Sequence, residues 1–143
     1  MSVFTLPSGP FTDMELKAYI ETMMLVAIAD GTVRNSELNI IQMAVVGYLE
    51  NNPDLKDMNR QQLMELCFDR ANALYSEGIQ PRLKAIASVL TTPEKRMYAL
   101  GMAVAVAIAD GFIQTGERAG FTLIQRVFEL TDEQVQAAIS AFS

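Results

Sequence analysis

The 143-residue chain contains no histidine. That absence removes the commonest general base and the Ser-His and Cys-His nucleophile pairs. It also removes the common zinc arrangements. A metal site would have to use oxygen donors or a thiol, which favours hard cations such as Ca²⁺, Mg²⁺ or Mn²⁺. Cationic side chains are in the minority, 11 Lys and Arg against 17 Asp and Glu, for a net charge of −6. Non-specific nucleic-acid binding needs a positive footprint, so the balance argues against it. There is one cysteine, Cys67, which excludes an intrachain disulfide. In the run Leu66-Cys67-Phe68 it reads as a small buried hydrophobe. The first ten residues carry no basic stretch and no long apolar run, unlike a secretory signal. The longest apolar run, Leu100 to Ala109, is interrupted by Gly101 and falls short of the about 20 residues of a membrane span. A cytoplasmic protein without direct membrane insertion is expected. The chain has no glycine-rich phosphate loop, no G-x-S-x-G elbow and no CxxC, and no catalytic constellation stands out.

What the chain has is a repeat. Val26-Ala27-Ile28-Ala29-Asp30-Gly31 is followed six residues after the glycine by Glu37. The same six residues return at Val106-Ala107-Ile108-Ala109-Asp110-Gly111, followed at the same distance by Glu117. The offset is 80 residues. Self-similarity at a fixed distance marks one structural unit used twice.

Half of the residues are apolar, enough for a real core. Residues 1–11, with two prolines and a glycine, read as an extended arm. Thr12-Asp13-Met14-Glu15 is a capping box opening a helix to about Asp30. Its first half is amphipathic, and its second half, Met23 to Ala29, is apolar on every side, the pattern of a helix buried all round. After Gly31, Asn35 caps a second helix to about Leu49. Glu50 to Asp57 forms a loop. A third helix, Arg60 to Ser76, carries the stripe Leu63, Leu66, Cys67, Ala71 and Leu74 and ends before Gly78. A short helix spans about Pro81 to Leu90. Thr92-Pro93-Glu94 combines a capping hydroxyl, a first-turn proline and an acid. It opens a helix to Asp110 whose end, Met102 to Ala109, is again apolar all round. Its alternating alanines predict a close crossing with the first helix. Thr115 caps the next helix, to about Leu130, and Thr131-Asp132-Glu133-Gln134 opens the last, to Phe142.

The expectation is an all-α fold of about seven helices, an internally duplicated bundle with two buried central helices. Residues 12–143 form one helical domain, with repeat units of about 12–77 and 93–142. The third helix echoes the last at an offset of 72, so the first unit carries about eight extra residues in its Glu50–Asp57 loop.

Each glycine of the repeat ends a buried helix. Val33 and Ile113 tuck the following loop onto the core. Glu37 and Glu117 fall in the first turn of the next helix, facing free N–H groups and the positive helix end. Asp30 and Asp110 sit at a helix C-terminus, where negative charge is unfavourable. Three explanations stand side by side. Each Asp accepts hydrogen bonds from its own loop. Alternatively, Asp and Glu of one unit hold a cation with help from carbonyls and water. In the third, the acids of both units converge on one shared site. The later half of an EF-hand loop is matched, but its first ligand positions would be Val26 and Ile28, or Val106 and Ile108, which cannot ligate. The methionines read as core fillers. Arg82, Lys84, Lys95 and Arg96 read as a solvated charged face.

At these residues the chain resembles the TerB-like family, named after a tellurite-resistance protein. The motif in each half is Ala29-Asp30-Gly31-x-Val33-x-x-x-Glu37 and Ala109-Asp110-Gly111-x-Ile113-x-x-x-Glu117. The resemblance runs from about Phe11 to the end. It implies an all-helical, internally duplicated cytoplasmic module of tellurite-resistance and stress-response systems. Such a module binds metal through these acids and works with protein partners, some membrane-associated, and not as an enzyme. The metal ligands it implies are Asp30, Glu37, Asp110 and Glu117. Neither linker adds a second acid, so each half supplies two carboxylates. Two readings compete with this one: a structural or adapter domain with no metal site, and a carboxylate-based hydrolase acting through a bound metal.

Overall fold

The computed structural model describes residues 12–28, 41, 60–108 and 115–141. Among them are six helices and no strand, an all-α fold as expected. They are α1 (Asp13–Ile28), α2 (Arg60–Glu77), α3 (Ile79–Val89), α4 (Pro93–Ala107), α5 (Thr115–Phe128) and α6 (Asp132–Ala141). The helix predicted from Asn35 to about Leu49 lies outside the described residues, apart from the helical and fully buried Ile41. The N-terminal arm and the Glu50–Asp57 loop also lie outside them.

Local chemistry sets the helix starts. The Glu15 N–H donates to Thr12 Oγ1 at 3.1 Å, and the Thr12 N–H donates back to Glu15 Oε1 at 2.9 Å, a closed capping box. The same box recurs before α6, where Gln134 N–H donates to Thr131 Oγ1 at 3.1 Å and Thr131 N–H to Gln134 Oε1 at 2.8 Å. At α4 the Lys95 N–H donates to Thr92 Oγ1, with Pro93 in the first turn. The α3 helix starts at Ile79, two residues earlier than Pro81 suggested. A proline in the first turn gives up only an N–H that has no partner within the helix. Between α2 and α3, Gly78 adopts φ 93°, ψ 152°, a conformation essentially confined to glycine, so one residue turns the chain. At the end of α5 the left-handed position falls to Glu129, with φ 58°. Leu130 N–H closes the turn onto Gln125 O at 3.0 Å, the reach of a Schellman motif. The α4 helix ends at Ala107, not Asp110. Ile108 has already left helical geometry at ψ 9°, while its N–H still reaches Val104 O.

The core is built around α1 and α4, which make the most extensive helix–helix contact among the described elements. Every α4 residue from Tyr98 to Val106 and on to Ala107 is buried, and so is the end of α1, Met23 to Ile28. The first half of α1 proves less amphipathic than expected. Leu16, Ala18, Tyr19 and Ile20 are all buried, as are the polar Glu15, Glu21 and Thr22. Tyr19 meets Tyr98 edge to face across the pair, with ring centroids 5.2 Å apart and planes at 84°. The α1 helix also packs on α2 and α3, and α4 packs on α6 and α5. The α5 helix shows the opposite pattern to α4: Phe121, Ile124 and Phe128 face inward while Arg118, Thr122 and Arg126 are exposed. Cys67 is fully buried, and burial pushes its thiol up to about 11, which keeps it a neutral hydrophobe at neutral pH.

Candidate functional site

The residues that precede the duplicated Asp-Gly motifs are buried in both central helices. Val26, Ala27 and Ile28 are buried at the end of α1, and Val106 and Ala107 at the end of α4. The turns themselves, with Asp30, Glu37 and Asp110, lie outside the described residues. Glu117 is in the first turn of α5, as its spacing predicted. Among the described residues no three metal-ligating side chains come together.

What the described residues bring together is a set of charged ties around α1 and α4 whose partners the sequence did not expose. At its centre is Glu21, 1 % exposed and in the middle of the helix. Arg82, from the first turn of α3, grips it with both arms: Nε to Oε2 at 2.6 Å and a terminal nitrogen to Oε1 at 2.8 Å. Arg70 of α2 adds a third bond to Oε1 at 3.3 Å and holds Asp69 with its other end at 2.6 Å. Glu77 approaches Arg82 at 3.5 Å from the outside. A two-pronged arginine–carboxylate pair fixes geometry as well as charge. The hydrogen bond to Glu21 is the chief cause that raises the Arg82 pKa above its already high value, against a smaller opposing effect of burial. This network fastens α1, α2 and α3 together, through Glu21 of α1, Asp69, Arg70 and Glu77 of α2, and Arg82 of α3. The sequence marks only that an acid among the apolar Tyr19, Ile20, Met23 and Met24 needs a partner, and not which cation supplies it.

A second tie joins the N-termini of α1 and α4. Lys95 Nζ reaches Glu15 Oε2, the oxygen that the capping box does not use. Burial pushes the Glu15 carboxyl up, but hydrogen bonds from Lys95 and from Thr12 outweigh it and leave the group below the ordinary carboxylate value. Thr12 and Thr92, and likewise Glu15 and Lys95, stand 80 residues apart, the offset of the Asp-Gly repeat. The repeat therefore places a carboxylate and an ammonium at corresponding positions, and they pair with each other.

The third tie is Arg96, whose guanidinium faces main-chain oxygens. It donates to Leu90 O at 2.7 Å, Ala87 O at 3.0 Å and Phe128 O at 3.3 Å. These carbonyls belong to the C-terminal ends of α3 and α5, which lack partners within their helices and carry partial negative charge. The guanidinium also lies 6.0 Å from the centre of the Phe128 ring. The basic cluster read from sequence as a solvated face is thus mostly internal. Arg82, Lys95 and Arg96 are committed to Glu21, Glu15 and helix ends, and Lys84 alone of the four is exposed.

On the outer face of α2 is a shallow, open depression of about 620 Å³, lined by Asp69, Arg70, Asn72, Tyr75, Ser76 and Glu77, among others. Phe68 and Tyr75 are exposed on the same helix, at 53 % and 67 %. No described helix is long and apolar enough to cross a membrane. Comparison with protein-family models, with curated proteins and with solved structures found no significant match to this chain.

Proposed function

We propose that the protein is a non-enzymatic helical module of TerB-like type, acting in tellurite resistance or a related stress response. It binds a divalent cation, protein partners or both through Asp30, Glu37, Asp110 and Glu117. The observation that carries this reading is the duplicated Ala-Asp-Gly motif with its trailing glutamate, set at the ends of the two helices that form the core. Three further features support it. The fold is all-helical. The residues that lead into each turn, Val26 to Ile28 and Val106 to Ala107, are buried. The chemistry left by the absence of histidine is that of oxygen donors, suited to Ca²⁺, Mg²⁺ or Mn²⁺. With two acids per half, main-chain carbonyls and water complete any coordination shell. Membrane-associated partners fit the same setting without insertion of this chain.

Titration calorimetry with Mn²⁺ and with Ca²⁺ tests the reading. The wild-type chain is expected to give a binding isotherm, and the Asp30→Asn/Asp110→Asn double variant is expected to lose it while keeping its helical circular dichroism. No heat from the wild type with either ion, together with unchanged thermal unfolding of the double variant, reduces the turns to helix connections and the protein to an adapter.

A further inference from the structure

We draw no further inference here: the strongest candidate, the outer face of α2 where Phe68 and Tyr75 stand exposed beside the shallow depression along Asp69 to Glu77, is an unpartnered face, and nothing in the structure shows what covers it.

Discussion

The helices α1 and α4 occupy matching places in the repeat, yet they solve the problem of charge in a core in opposite ways. At position 21 the first helix buries a carboxylate and draws two arginines in to meet it. The corresponding position in α4, 80 residues on, is Gly101, which has no side chain to satisfy. At position 96 the second helix turns an arginine onto the ends of two neighbouring helices. The corresponding residue in α1 is Leu16, buried and apolar. In the first unit the acid is on the central helix and the cations come from outside it. In the second the cation is on the central helix and its partners are backbone oxygens. A repeat conserves the path of the chain, while each copy satisfies its polar groups with whatever lies next to it.

The largest effect is expected from breaking the first of these solutions. Arg82→Met leaves Glu21 buried with only the longer Arg70 bond, and should cost about 3 kcal/mol in urea unfolding, the low end for splitting a buried ion pair. Glu21→Met is expected to cost clearly less. Arg70 and Arg82 are each about one-fifth exposed and can turn to Asp69 and Glu77. Equal losses from the two variants would mean that packing, not the stranded charge, decides the contrast.

Next comes the one-residue turn that leads out of the first unit. Gly78→Ala places a Cβ 3.6 Å from Pro81 Cδ, an ordinary contact, so any loss comes from the backbone conformation. A cost of about 1–3 kcal/mol is expected. A neutral result would show that the junction relaxes to another geometry.

The caps sharpen the comparison further. Thr12→Ala and Thr92→Ala should each cost about 1 kcal/mol. Each variant loses only the side-chain acceptor, since the Thr12 N–H that donates to Glu15 is main chain and survives, so the two losses should be similar. A clearly larger loss at Thr12 would mean that the Glu15 side of the box depends on the Thr12 hydroxyl.

The smallest effect is a dependence on pH. Glu15 has its folded pKa depressed below 4.5, so its stabilising contribution is present above the unfolded value and fades as pH falls through the folded value. Lys95 is 30 % exposed, which limits the pair to about 0.5–1 kcal/mol. Lys95→Met should therefore be less stable than wild type at pH 7, and the gap should close in acid. A gap that persists at pH 2 would assign the effect to packing of the lysine stem.

The parts of this fold that were legible in the sequence are those written locally. Thr12 with Glu15, Thr92 with Pro93, and Thr131 with Gln134 announce helix starts within four residues, and each is found where it was read. The unbroken apolar end of α4 announced its own burial. The Glu21 network was not legible because its partners are 49 and 61 residues away, and no local pattern ties an acid to arginines at that range. The same limit misplaced Lys95 and Arg96, whose neighbours in sequence gave no sign of the helix ends and carboxylate they meet in space. The end of α4 was read three residues too far, since apolar residues mark burial and not helical backbone. Of the proposed site, the first-turn placement of Glu117 was legible from spacing, and the remaining three acids fall outside the described residues.

The salt bridge between Glu15 and Lys95 makes the two halves distinguishable. Exchange one half for a duplicate of the other and that spot would hold two carboxylates or two ammonium groups, each repelling its twin. At about 0.5–1 kcal/mol, the opposite signs give a modest preference for the unlike half over a copy of itself.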